Sequence, residues 1–461
     1  MTASMEIGGA AAAARAQGAG PLNSIGRLAA PLTAFFAIQS AASLASIAML
    51  GRLGDAALAG AGAAGAVYGV VLALMFGADA AVQAMVSRRV GAGRSEGCGQ
   101  ILADALALTL PLGALLAVGA WWAARGVLSA MSPHRDAALA GAAYLRAAAP
   151  SLVFFAATIP INACWIGSGR PHIALFVTAV LAPLQIAATF ALVFGVGPLA
   201  GLGAAGAGAA ISFAGLVGVA LQLWLAARLG AAPGFAGRAP RAAGAGAVAA
   251  IGWPISLQQA LLQLGLMIAY VILARLGVAQ VAAANVLISL VMVPSQLAVG
   301  LGVAAATLVG QTLGRGDVAE ARRWGWRTAV LGVAASAPFT LIAVAATRPL
   351  LGLFLRDPAT LEIAVWPIRI VGLGVAADTL GRVLCFAIRG AGATRIGAAI
   401  PFAGQWLVQL PLVWWLAVTL GFGLLGMAGV QAGVAVAEAL VTALIWAGAR
   451  WSVHNTLSAA S

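Results

Sequence analysis

Runs of about twenty apolar residues follow one another along this chain. Short stretches in which Gly, Pro and Arg collect separate them. The runs are rich in Ala, Leu, Val and Gly and show no period-two alternation of polar and apolar positions, so they do not read as the strands of a barrel. A run of that length crosses the hydrocarbon core as a helix. In lipid, only helices and closed barrels satisfy every backbone N–H and C=O. The pattern predicts about twelve transmembrane helices, over 25–50, 57–86, 99–123, 141–166, 173–195, 204–228, 247–274, 280–312, 326–347, 364–388, 397–420 and 424–449. The fold class expected is an all-α membrane protein.

The same pattern repeats. At an offset of 223, Pro31 meets Pro254, Arg52-Leu53-Gly54 meets Arg275-Leu276-Gly277, and Gly77 meets Gly300. Gly91 and Gly93 meet Gly314 and Gly316, Arg146 meets Arg369, and Gly167 and Gly169 meet Gly390 and Gly392. One constant offset over so long a stretch marks an internal duplication. Each half then holds about six helices. An even number returns the chain to its starting side, so the two pseudo-symmetric lobes share one orientation, which is the parallel-repeat plan of transporters. The organisation expected is a disordered cytoplasmic tail over 1–22, a first lobe over 23–230, a cytoplasmic linker over 231–246, a second lobe over 247–451 and a cytoplasmic tail over 452–461.

Composition agrees with the pattern. Hydrophobic residues make up 62% of the 461 and charged residues only 8%, against about 25% charged in a soluble domain. The net charge of +13 comes from Arg residues scattered singly between apolar runs, without the basic face and interleaved aromatics of a nucleic-acid site. With the N-terminus placed in the cytoplasm, 16 Arg fall inside, 8 outside, and Arg382 lies within a helix. That bias fits the positive-inside rule and places both termini in the cytoplasm of a bacterial inner membrane.

Every one of the 25 basic residues is Arg. With no Lys there is no P-loop lysine for ATP and no Schiff base. Cys98, Cys164 and Cys385 are far apart, and His134, His172 and His454 are isolated, so no disulfide or metal pattern is present and no cofactor is expected. The reading is not an enzyme.

The repeated segments resemble the multidrug and toxic compound extrusion (MATE) family. They are Met49-Leu50-Gly51-Arg52-Leu53-Gly54, Ala57-Leu58-Ala59 and Val90-Gly91-Ala92-Gly93-Arg94 in the first half. In the second they are Leu276-Gly277, Ala282-Ala283 and Val309-Gly310-Gln311-Thr312-Leu313-Gly314-Arg315-Gly316-Asp317. Tyr144-Leu145-Arg146 and Ile388-Arg389-Gly390-Ala391-Gly392 also fit. The resemblance runs over nearly the whole chain. It implies two lobes that enclose substrate and rock alternately, and export coupled to H⁺ or Na⁺.

A charged side chain at the bilayer centre costs roughly 2.5–3.5 kcal/mol, so an acid there has a function or a partner. The intramembrane acids are Asp79, Asp378 and Glu438, with Asp104 nearer a helix end. Asp378 lies midway between Arg369 and Arg389. By its spacing to the Arg389-Gly390 turn it is similar to the family's second-lobe membrane aspartate, which implies a role in cation or proton coupling. Arg382, one turn later, offers the alternative of a structural ion pair and is unexpected for the family. Against the resemblance, Ser46 stands where many members carry a helix-1 aspartate. Gln185 and Thr189 stand where Asn and Asp are common, and Leu262 and Gln263 where helix 7 often has a Glu. These residues are read as cavity lining or as glue between helices. Asp79 either faces the inner cavity or reaches toward Arg88 and Arg89, and Glu438 is a further cavity candidate without an evident partner. Gln259 and Trp406 complete the candidate lining, while Arg146 and Arg369 are read as anchors near outer helix ends.

The function expected is secondary active efflux, by a monomer, of an organic compound, cationic or amphipathic, in exchange for H⁺ or Na⁺. The alternative is a flippase for lipid-linked intermediates from a related superfamily, which would need a cluster of cavity Arg residues where the chain offers Arg382 alone. A membrane prenyltransferase would need paired Asp motifs for Mg²⁺-diphosphate, and none is present.

Overall fold

The computed structural model describes residues 21–131, 134–196, 199–229, 239–276, 278–352, 354 and 358–448. Almost all of them are helical. In chain order the helices are α1 (Pro21–Gly51), α2 (Asp55–Ala73), α3 (Phe76–Gly91), α4 (Cys98–Met131), α5 (Arg135–Ala148), α6 (Ser151–Gly167), α7 (Pro171–Phe194) and α8 (Ala204–Leu229). A two-residue hairpin, β1 (Gly195–Val196) with β2 (Leu199–Ala200), joins α7 to α8. There follow α9 (Ala242–Ala274), α10 (Val278–Gly314), α11 (Val318–Ala345), the short α12 (Thr347–Gly352), α13 (Pro358–Gly390), α14 (Thr394–Ala403), α15 (Leu410–Val413) and α16 (Gly423–Ala447). Two π-helical segments, Gly404–Gln409 and Trp414–Thr419, flank α15. Among the described residues, 11 helices are long and apolar enough to cross a membrane, or up to 12 with the bent pair α5–α6 taken as one span. The expected tails over 1–22 and 452–461 lie almost wholly outside the described residues, as does the first half of the linker, 231–238.

Each interruption has a local cause. Between α2 and α3 the backbone closes a tight turn at Leu74–Met75, and Ser256 Oγ on α9 donates to the carbonyl of Leu74 at 2.5 Å, supplying a partner there. The single expected span over 57–86 remains one membrane span, Ala56–Gly91, with this break inside it. Between α5 and α6 the axis turns by 48°, where Pro150 lacks an N–H. Ser151 Oγ there donates to the Ala148 carbonyl and shares a hydrogen bond with Tyr68. The expected helix over 397–420 contains the two π segments around Pro411. Start positions shift as well. Helix α9 begins at Ala242, inside the expected linker, because Asp104 Oδ1 of α4 accepts the backbone N–H of Arg241 at 2.7 Å and caps it.

The duplication is visible in side-by-side contacts. A Cβ on Gly167 would press on the carbonyl of Gln83, and a Cβ on Gly390 would overlap the carbonyl of Ala306. Both partners of the first contact lie 223 residues before those of the second. Arg146 Nε donates to the Trp121 carbonyl at 3.2 Å and Arg369 Nε to Thr347 Oγ1 at 3.0 Å. Each half thus uses its matching Arg to tie a helix back to the helix before it.

The chain forms two compact units whose boundaries fall inside helices rather than in a loop. One is Ala34–Ala260; the other takes residues up to Thr33 with those from Leu261 onward. In the first, Gly77 of α3 lies against Gly252 and Ser256 of α9. In the second, Gly300 of α10 lies against Thr33 of α1. Gly300 is the repeat equivalent of Gly77, and Ser256 that of Thr33. Each unit has therefore taken in the N-terminal end of the other half's first helix. The cores are apolar and small-residue rich, with Ala64, Tyr68, Leu128, Leu145 and Leu152 in one unit and Leu273, Ala283, Leu287, Ala364 and Ile368 in the other. Small residues let helices in lipid approach closely enough for dispersion to hold them.

Candidate functional site

Helix α13 is the hub of its unit, packed against α10, α11 and α16. Its seam with α16 is made by small residues. A Cβ on Gly374 would touch Ala432, and one on Gly381 would touch the backbone of Ala439. Both contacts advance seven residues together, so the two helices run parallel, and Glu438 of α16 comes level with Arg382 of α13.

On α13, Arg382 Nε lies 2.9 Å from Asp378 Oδ1 and 2.7 Å from Oδ2. The two are one helical turn apart and form an ion pair. The Asp378 side chain is 27% exposed and that of Arg382 44%. Glu438 is within electrostatic reach of both charges but makes no ion pair, and among the described residues its carboxylate accepts no hydrogen bond. Its Oε1 lies against Gly404, the first residue of the π segment, where a Cβ would overlap it. Three charged groups thus meet between the two helices, and Glu438 is the one charged residue of α16. One turn on, Cys385 Sγ and Arg389 both donate to the Gly397 carbonyl, tying α13 to α14. At the repeat offset, Asp378, Arg382 and Glu438 correspond to Phe155, Ile159 and Gly215. The first half has no equivalent of this site.

The other candidates separate into bonded and unbonded groups. Ser46 Oγ donates to the Ala42 carbonyl and Thr189 Oγ1 to the Gln185 carbonyl, each within its own helix. Thr189 is fully buried and lines nothing. Neither hydroxyl bridges helices, because the carbonyl one turn back is the nearer acceptor. Trp406 Nε1 donates to the Leu261 carbonyl at 3.2 Å and Gln405 Nε2 to the Leu262 carbonyl at 3.2 Å, so the first π segment is laced to α9. Gln185, Gln259 and Gln263 are half-buried, and their side chains make no hydrogen bond among the described residues.

Asp79, in the first turn of α3, is half-buried and likewise accepts no hydrogen bond among the described residues. The Arg residues on its own helix do not reach it. Arg89 donates to the Gly97 carbonyl, and Arg88 Nε is buried without a partner. On the neighbouring α6, Asn162 Oδ1 and Trp165 Nε1 are also buried and unsatisfied. Sequence reading passed over them, since an unmet polar group shows only once its surroundings are built. Asp104 is resolved as structural. It is 5% exposed, holds Gln100 at 2.8 Å and caps α9. Among the described residues, no group of three or more His, Cys, Asp or Glu side chains is placed to hold a metal ion.

Known proteins with this arrangement are transporters. The MatE family model matches twice, over residues 31–191 and 254–415, and the two starts are separated by the repeat offset read from the sequence. The probable multidrug resistance protein NorM of Deinococcus radiodurans is 31% identical over 380 residues, 81% of this chain and 83% of that protein. The protein of the same description from Bradyrhizobium diazoefficiens is 28% identical over 78% of this chain and 79% of its own length. Among solved structures, a mutant of the Vibrio cholerae MATE transporter VcmN superposes with a TM-score of 0.86 at 19% identity, over 95% of this chain and 98% of that one. With the family model on both halves and relatives along most of its length, this chain belongs to the MATE family of multi-pass membrane multidrug efflux transporters.

Proposed function

We propose that this protein is a secondary antiporter of the bacterial inner membrane that works as a monomer with both termini in the cytoplasm. It exports organic cations or amphipathic compounds, and alternation of its two lobes exchanges them for H⁺ or Na⁺. The observation that carries the reading is the Asp378–Arg382 ion pair with Glu438 beside it. Two carboxylates and one guanidinium sum to one negative charge, and one bound monovalent cation makes the site neutral. A neutral site moves through a low-dielectric region at far lower cost than a charged one. For an uncharged exported compound the membrane potential adds drive, since one positive charge moving inward gains roughly 2.3 kcal/mol per 100 mV. For a monovalent organic cation exchanged one for one the charges cancel and the ion gradient alone drives export.

The test is efflux of a fluorescent cationic dye from proteoliposomes under an imposed proton or Na⁺ gradient. Gradient-driven dye movement by the native protein, lost in Asp378→Asn, is the expected result. Dye movement by the native protein that ignores both gradients would overturn the antiport reading.

A further inference from the structure

We infer that Glu438, rather than Asp378, is the carboxylate that binds and releases the coupling cation, and that Arg382 holds Asp378 as a fixed counter-charge. The inference rests on the antiport reading above and assigns the exchanging atom within that site.

The geometry divides the two acids. Both oxygens of Asp378 are engaged by Arg382 Nε at 2.9 and 2.7 Å, within one helix and one rotamer pair. A cation arriving there must displace a guanidinium that stays charged at all physiological pH. The carboxylate of Glu438 has no hydrogen bond among the described residues, so nothing on the protein must be broken for it to take a proton or a Na⁺. The ionisable groups facing it all come from α13, namely Arg382, Asp378 and the Cys385 thiol. Helix α16 carries no other charged residue, the run from Ile396 to Thr419 contains none, and neither does α10.

Glu438 is also placed to report its state. Its Oε1 touches Gly404, where the helix changes from α to π winding, and π segments are sites where a helix readily rewinds. The two residues after Gly404 donate to the carbonyls of Leu262 and Leu261 on α9. A cation on Glu438 therefore acts on a segment hydrogen-bonded to α9.

Charge counting makes the two assignments separable. Asp378→Asn leaves Arg382 facing Glu438, a neutral pair that becomes +1 on loading a cation. Glu438→Gln leaves the Asp378–Arg382 pair, with the same defect. Both singles should lose gradient-driven efflux by roughly 100-fold, the cost of an extra charge in the bilayer. The double variant Asp378→Asn/Arg382→Gln returns the site to −1 empty and neutral when loaded, through Glu438 alone. It should recover efflux to within about tenfold of native, that is within roughly 1.4 kcal/mol of the native barrier.

The measurement is dye efflux from proteoliposomes under a proton gradient and, separately, a Na⁺ gradient, with melting in detergent as the folding check. The arm that drives the native protein names the ion. Recovery in the double variant, with Glu438→Gln inactive and Glu438→Asp partly active, supports the assignment. An inactive but folded double variant, or an active Glu438→Gln, overturns it while leaving antiport standing. A native protein indifferent to both gradients fails the antiport reading itself.

Discussion

Asp104 of α4 accepts the backbone N–H of Arg241 at 2.7 Å, across 137 residues of chain, and so caps a helix that is not its own. The same carboxylate holds Gln100, whose amide also donates to the Ala239 carbonyl at 3.0 Å. Helix α9 has no capping side chain of its own at that position, where the sequence reads Pro240-Arg241-Ala242. Removing the acceptor leaves the part-buried Arg241 N–H without its partner and takes one of the two acceptors from the Gln100 amide, at a cost of about 1 kcal/mol. Asp104→Ala should lower the melting temperature in detergent clearly, and Asp104→Asn, which keeps one acceptor oxygen, should lower it less. Equal losses in the two variants would show that the charge, not the cap, is what matters.

The paired glycines of the repeat give a ranking. A methyl on Gly390 would lie inside the backbone of Ala306, whereas one on Gly167 would sit 2.9 Å from the Gln83 carbonyl and 3.2 Å from Val86. Overpacking of this kind costs about 1–3 kcal/mol and more where backbone must move. Gly390→Ala should therefore destabilise more than Gly167→Ala, although the two positions are equivalent in the duplication. Thermal unfolding of the two single variants checks the order, and the reverse order would mean that the halves pack differently from the contacts described.

Much of this architecture was legible in the chain itself. Helix spans follow from apolar run length, and the duplication follows from Pro31/Pro254 and Arg52-Leu53-Gly54/Arg275-Leu276-Gly277. The Asp378–Arg382 pair follows from a four-residue spacing on one helix. What stayed hidden was set by contacts distant in sequence. The break after Leu74 has no Pro or Gly within it and is met by Ser256, 182 residues on. The early start of α9 depends on Asp104 in the same way. Glu438 read as partnerless because the seam that brings α16 beside α13, Gly374 to Ala432 and Gly381 to Ala439, carries no motif beyond small residues. The exchange of helix ends that puts Thr33 against Gly300 and Ser256 against Gly77 is a property of packing, and no local pattern encodes it.

Arg146 and Arg369 are equivalent by repeat, and each combines a hydrogen bond with a ring contact. Arg146 lies 5.0 Å from the Trp121 ring and Arg369 5.3 Å from that of Trp366. A planar guanidinium serves both contacts at once; an ammonium in its place loses the directed Nε bond. Arg146→Lys and Arg369→Lys should each cost about 1 kcal/mol, near the value of a partly exposed cation–π contact. Trp121→Leu should reduce the penalty of Arg146→Lys, because part of what Lys fails to do has already been removed. A double variant whose loss equals the sum of the singles would separate the ring from the Arg energetically.

The Asp378–Arg382 pair can be weighed apart from transport by a double-mutant cycle. Arg382→Gln leaves Asp378 and Glu438 as two uncompensated carboxylates, and Asp378→Asn leaves Arg382 with Glu438 alone, to which it makes no ion pair, so each single variant loses the close attraction of the pair. The double variant removes both charges and should melt closer to the native protein than the singles' losses predict. Because Arg382 is 44% exposed, screening limits the coupling to about 1 kcal/mol, and it should shrink as salt is raised in detergent solution. The measurement is the melting temperature of the four proteins at low and high salt. Additivity within about 0.3 kcal/mol would mean that the two groups do not act as a unit. The fixed counter-charge assigned to Asp378 would then have no physical basis, because an Arg that does not hold its partner cannot keep that partner from binding the cation instead.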